Sequence, residues 1–215
     1  MLSSGGAPVT EWHGAKYWRN QSRDERTRLA EIPPSLTHAR LSNYDGDHES
    51  VTKWLREFHE HRKAGVGLLF AGKHGSGKSH LAVAALRGAI RTYRQTGRYI
   101  TANDYVRALD DERQNDGVLP DSYEEGNLIP YLRSMYDIVV LDDVDAIRQT
   151  SYAKREISDL LSSRCSKKLV TIVACHDGID KLKFNVTAQF HGLVRASCVP
   201  VVLTSGDHRR AIRGA

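Results

Sequence analysis

The chain has 215 residues, 40% hydrophobic and 27% charged, the balance of an ordinary globular protein large enough to bury a substantial core. No apolar stretch approaches the roughly 18 residues that span a bilayer, Met1–Gly14 lacks the basic and apolar regions of a signal peptide, and three cysteines (Cys165, Cys175, Cys198) without a C-x-x-C pair argue against a disulfide framework. A net charge of +5 and a pI near 9.1 fit either a polyanionic partner or a solvated basic surface.

Residues 1–10 are small and polar, as in a disordered start. From Glu11 to Glu31 the composition predicts a basic helix with Trp12, Tyr17 and Trp18 among arginines, stopped at Ile32-Pro33-Pro34 because proline cannot continue a helix. This divides the chain into an N-terminal arm, 1–31, and a main domain, 32–215. Val51, Trp54, Leu55 and Phe58 recur at helical spacing and predict a helix over 49–63, closed by Gly65. A first strand is expected at 66–71 and a helix at about 78–95.

A second strand is read at Arg98–Thr101, then a helix capped by Asn103-Asp104 and a loop over 112–122. A helix near 123–134 leads into Ile138-Val139-Val140-Leu141, the strongest strand of the sequence. Another helix at 151–164, a strand at 169–174, a helix at 186–196 and a last strand from Val199 to Leu203 complete the alternation. The expected fold is α/β, with a mostly parallel five-stranded sheet and helices on both faces.

Between the first strand and its helix stand Gly72, Lys73, His74, Gly75, Ser76, Gly77, Lys78 and Ser79, which fill the pattern G-x-x-x-x-G-K-[ST]. Glycines let such a loop wrap so that backbone N–H groups converge on phosphate oxygens. The lysine reaches the β- and γ-phosphates, the serine is a Mg²⁺ ligand, and the helix N-terminus adds its positive end. A chance match in a glycine-rich loop is the alternative, and the strand and helix on either side argue against it. Together these residues point to binding of a nucleoside triphosphate with Mg²⁺; no guanine-reading N-K-x-D follows the predicted sensor strand.

Asp142 and Asp143 fall at the carboxyl end of the apolar strand, where open α/β sheets bind ligands. Asp142 is the candidate Mg²⁺ ligand opposite Ser79, and Asp143 the candidate base for the attacking water. Alternatively, the pair begins a turn. His176, at the end of the next predicted strand, is a candidate sensor of the γ-phosphate, or else a solvated turn residue. Cys175 reads as a small buried apolar residue, and neither Cys175-His176 nor His59-x-His61 has zinc-site spacing.

Ile32-Pro33-Pro34-Ser35-Leu36, Ala39 to Tyr44, GLLFAGKHGSGKSHLA and IVVLDDVD together resemble the AAA+ domain of bacterial helicase loaders of the DnaC/DnaI type, with IstB-type transposition ATPases as relatives. The likeness runs from about Ile32 to Arg209, and His80 after the P-loop serine is among its more particular marks. It implies an AAA+ fold, ATP hydrolysis with Mg²⁺, ring or spiral self-association, and action on single-stranded DNA beside a hexameric replicative helicase. It also implies a bacterial or phage-infected host cytoplasm, a nucleotide-binding role for His80, and a place near the adenine for residues 41–46. Arg195 lies near the family's arginine-finger position, displaced by a few residues, and His176 stands where the family typically has asparagine. The dozen residues after the last strand leave no room for a C-terminal lid domain.

The resulting expectation is an ATP-dependent loader of a replicative helicase onto single-stranded DNA in replication initiation. An IstB-like transposition ATPase and a nucleotide-gated adaptor with little hydrolysis are the alternatives. Residues 11–31 are the expected helicase-docking segment, or else a helix that packs back on its own main domain. Arg91, Arg94, Arg98 and Arg107, with Tyr93 or Tyr105, are the candidate DNA track.

Overall fold

The computed structural model describes residues 20–114, 128–176 and 178–204, with the backbone alone at 179, 183 and 184. Its described elements are α1 (Arg23–Arg28), α2 (Glu49–Arg56), α3 (Phe58–Ala64), β1 (Gly67–Gly72), α4 (Lys78–Tyr93), β2 (Gly97–Thr101), α5 (Ala102–Gln114), α6 (Leu128–Ser134), β3 (Ile138–Asp142), α7 (Ser151–Ser166), β4 (Val170–Cys175), α8 (Ile179–Asn185), α9 (Ala188–Ser197) and β5 (Cys198–Leu203). Two 3-10 turns, Pro34–Leu36 and Leu41–Asn43, precede α2.

The five strands form one sheet in the order β2-β3-β4-β1-β5, and every pairing is parallel. Side chains alternate across a strand, so each strand supplies two cores. Leu69, Ala71, Val139, Leu141, Val173 and Cys175 face α5 to α9. Leu68, Phe70, Ile138, Val140, Ile172 and Ala174 face α1 to α4. Burying each large apolar side chain contributes roughly 1.5–3 kcal/mol, so the doubly covered sheet is the dominant stabilising unit. Gly67 lies where β1 passes β4: an added Cβ would sit 1.8 Å from the Thr171 carbonyl oxygen, too close for any larger residue.

Several expected boundaries shift for physical reasons. The helix expected over 49–63 breaks at Glu57, and Gly65 closes the second piece at φ 72°. The arm helix is also interrupted: α1 begins only after Ser22, whose side chain accepts from the Glu25 N–H. At α5 the cap is Thr101, whose hydroxyl accepts from Asp104 N–H, while Asn103 donates instead to the Ala146 carbonyl. Helix α5 runs on to Gln114, into the expected loop, and the rest of that loop and residues 123–127 lie outside the described residues. Helix α8 has no counterpart in the sequence reading.

The described part of the arm lies on the main domain. Ala30 is fully buried in the α4-side core, and its carbonyl accepts from the Tyr99 N–H of the edge strand β2 at 2.8 Å. Arg26 is buried and donates to the Ile90 carbonyl at the end of α4. Arg98 pairs with Glu31 and donates to the Leu29 carbonyl. Among the described residues no helix is long and apolar enough to cross a membrane.

Candidate nucleotide site

The site forms where β1, β3 and β4 end. β1 gives way at Gly72 to the loop Lys73–Gly77, and the chain then enters α4 at Lys78. The loop turns through Gly75 at φ 78° and Gly77 at φ 88°, backbone that L side chains rarely adopt. Gly77 is doubly constrained, because an added Cβ would meet the Tyr44 ring at 2.5 Å. Lys78 is buried, and its ammonium donates to the carbonyls of Gly72 (2.8 Å) and Lys73 (2.9 Å). Burial pushes its pKa down, while Asp142, Asp143 and Asp145 draw it back up. Three carboxylates thus converge on the P-loop cation.

Asp142 is almost fully buried at the end of β3. Its Oδ2 accepts from the Tyr99 hydroxyl at 2.6 Å and its Oδ1 from the Asp143 N–H at 2.9 Å. That leaves a fixed carboxylate with lone pairs to spare, as a divalent cation needs. Burial and the Asp142 carboxylate raise the Tyr99 pKa, so the phenol stays protonated and donates. Asp143 follows at φ 53°, the left-handed region that Asp tolerates better than most residues. Burial and then the neighbouring Asp142 raise its pKa, and His176 and Lys78 oppose the shift. A carboxylate raised in this way is a better proton acceptor than an ordinary one.

The turn after β3 is tied to β4 by Val144 N–H donating to the Ala174 carbonyl and by His176 N–H donating to Asp145 Oδ2 at 2.7 Å. His176 Nε2 lies 3.4 Å from Asp143 Oδ1. His74, at the tip of the P-loop, stacks on His176 with ring centroids 3.6 Å apart. The segment before α2 closes the loop from the other side. Tyr44 donates to the Ser76 carbonyl at 3.0 Å, and His80 Nε2 lies 2.9 Å from the Arg40 carbonyl oxygen. The donor set fits Mg²⁺ and a triphosphate: a serine hydroxyl at the start of α4, a held carboxylate at the end of β3, and a loop turned through two glycines at positive φ.

No protein-family model matches the chain. The replicative helicase loader DnaC of Escherichia coli (strain K12) is 24% identical over 155 residues, 70% of this chain and 60% of the DnaC chain. The chain therefore spans less than two thirds of the curated relative it matches. A crystal structure of the DnaC helicase loader superposes with a TM-score of 0.69 at 18% identity, covering 80% of this chain and all of that one. A crystal structure of DnaI gives 0.64 at 18% identity over 86% of this chain and all of that one. The replication initiator DnaA bound to AMPPCP and single-stranded DNA gives 0.63 at 18% identity, over 82% of this chain and 52% of that one. The chain has the five-stranded parallel AAA+ fold of the DnaC and DnaI structures, with a distant sequence likeness to DnaC.

Within this AAA+ domain the sequence-predicted residues Gly72 to His80, Asp142, Asp143 and His176 come together at one end of the sheet. Arg195 does not join them. It sits on α9, exposed, with Asp180 at 4.0 Å. Cys198, three residues on, pairs with Gly67 at the start of β1, whereas the P-loop follows Gly72 at its end. Five residues of strand separate the two levels, roughly 17 Å. Arg195 therefore cannot serve the nucleotide site of its own AAA+ domain.

Part of the candidate DNA track is committed elsewhere. Arg98 is buried in its pairing with Glu31, Tyr105 is buried and accepts from Arg133, and Tyr93 packs on Phe58 while donating to the Leu55 carbonyl. Arg91 and Arg94 are exposed, and Arg107 is exposed beside Asp104. Trp12, Tyr17 and Trp18 lie outside the described residues. Tyr99 was missed by sequence reasoning, whereas Asp145 could be counted with the acidic pair and Tyr44 lay within residues 41–46, which the resemblance put near the adenine.

Proposed function

We propose that the chain is an ATP-dependent loader of a hexameric replicative helicase onto single-stranded DNA during replication initiation, with ATP acting as an assembly switch. The observation that carries this reading is that the P-loop leaving β1 and the Asp142–Asp143 pair ending β3 lie at the same end of one parallel sheet, in an AAA+ fold that resembles DnaC in sequence and in structure. Lys73 to Ser79 wrap the phosphates, Ser79 and Asp142 hold Mg²⁺, and Asp143 takes the proton of the attacking water. The metal, when bound, neutralises charge on the β- and γ-phosphates.

Arg195 supports self-association into a ring or spiral. An exposed cation at the opposite end of the strands from its own P-loop would complete a neighbour's site. The start of the arm, with Trp12, Tyr17 and Trp18 as anchors, docks on the helicase, while Arg26 to Glu31 stay on the main domain, and Arg91 and Arg94 contribute to the DNA track. The transposition and adaptor alternatives predict a transposase partner and a near-absence of turnover respectively.

The test is ATP hydrolysis with and without single-stranded DNA, for wild type beside Lys78→Ala and Asp143→Asn. DNA-stimulated turnover that both substitutions abolish supports the loader reading. Nucleotide binding without turnover, with helicase and DNA present, would replace it with the adaptor.

A further inference from the structure

The P-loop pattern places no demand on the residue at position 74, because the loop binds phosphate through backbone N–H groups. The residue there is nonetheless a histidine whose ring lies 3.6 Å, centroid to centroid and tilted by 31°, from that of His176. The two residues are about a hundred positions apart in sequence and come from different strand ends. His176 is held on two further sides: its N–H donates to Asp145 Oδ2, and its Nε2 lies 3.4 Å from Asp143 Oδ1. Its Nδ1 is buried with no hydrogen-bond partner among the described residues. A buried imidazole nitrogen left unpaired is costly, so the ring keeps this place only while its other contacts hold it. Rotation about χ2 of histidine is broad, so the Asp143 contact alone does not fix the plane of the ring. A second ring stacked on its face does.

We infer that His74 is a positioning residue for nucleotide turnover: by packing its ring on His176 it keeps that imidazole against Asp143 at the nucleotide end of the sheet. The P-loop tip and the end of β4 then respond together to a triphosphate and not to a diphosphate. The inference rests on the ATPase reading above and adds a residue to it.

The experiment uses the full chain, wild type and the variants His74→Ala, His74→Phe and His176→Ala, with two readouts. The first is ATP turnover alongside ADP affinity. His74→Ala should lower turnover about tenfold while ADP affinity stays within about threefold, as expected for loss of positioning rather than loss of the cradle. His74→Phe, which keeps a flat ring and removes the nitrogens, should restore turnover to within about threefold of wild type. The second readout is the imidazole nitrogen resonances of His176, assigned through His176→Ala. In wild type they should move on adding AMPPCP and stay put on adding ADP, and His74→Ala should erase that difference.

Unchanged turnover in His74→Ala, or a fall matched by lost ADP affinity, would overturn the inference, as would failure of phenylalanine to rescue. A chain that binds nucleotide without hydrolysing it would sink the ATPase reading instead. The His176 resonances would still decide the role of His74, and an identical response in His74→Ala would end it.

Discussion

Asp143 shows how one backbone angle and one neighbour set a residue's chemistry. At φ 53° its side chain leaves the line of β3, and burial together with Asp142 raises its pKa. A carboxyl whose pKa is raised on folding binds its proton more tightly in the native state, so its ionisation opposes folding. The penalty is absent below the ordinary carboxylate range and complete above the raised pKa. Asp143→Asn keeps a residue that tolerates φ > 0 and removes the charge. It should abolish turnover while giving a higher Tm than wild type at pH 7, and that advantage should vanish as the pH falls through the acid range. Thermal melts across pH check it, and a lower Tm for Asp143→Asn at pH 7 would contradict the assignment. Tyr99 is the residue-scale counterpart on the metal side. Tyr99→Phe removes the 2.6 Å donor to Asp142 and should cost about 1–2 kcal/mol of stability. It should also weaken Mg²⁺-dependent nucleotide binding more than binding measured without the metal. Asp142 and Asp143 were legible in the sequence because an acidic pair after four apolar residues marks a strand end. Tyr99 was not legible, since its partner is 43 residues away across the β2–β3 ladder.

At the scale of elements, periodicity located most of the strands and helices, and failed where local polar groups decided the ends. Thr101 in place of Asn103 as the cap of α5 is such a case. Two devices that join elements had no sequence signature. Arg164 on α7 is fully buried, donating to the carbonyls of Leu132, Tyr136 and Val170 and to the Thr171 hydroxyl. Burial lowers its pKa to about 9, still above neutrality, so it remains a cation paired with carbonyl dipoles. Arg164→Met should strand those carbonyls and cost about 3 kcal/mol or more. That corresponds to a fall in Tm of roughly 6–12 °C, without a comparable change in nucleotide affinity for the protein that remains folded. The second device is the cover on β2, where Ala30, Arg26 and the Arg98–Glu31 pair close an otherwise open sheet edge. Removing residues 1–19 should leave folding and nucleotide binding intact while abolishing helicase binding. Removing 1–31 should destabilise the domain itself, and a stable 32–215 fragment would refute this role of the edge cover.

At the scale of the whole molecule, packing narrows the candidate DNA track: Arg98 and Tyr105 are buried and Arg107 is held beside Asp104, which leaves Arg91 and Arg94 at the end of α4 as its exposed, uncommitted cations. Replacing Arg91 and Arg94 by alanine should weaken single-stranded DNA binding and reduce the slope of log affinity against log salt by about one per residue. An unchanged slope would move the DNA to another face. What the sequence by itself determined was the local part of the machine: the P-loop, the acidic pair and the alternation of strands with helices. Each is written in consecutive residues, because backbone geometry and side-chain periodicity are local. Only the tertiary structure decided which groups meet across the sheet. The parallel order β2-β3-β4-β1-β5 brings Tyr99 to Asp142 and His74 to His176, and places Arg195 a strand's length from its own P-loop. Those contacts join residues far apart in the chain, and only packing on both faces of the sheet fixes them.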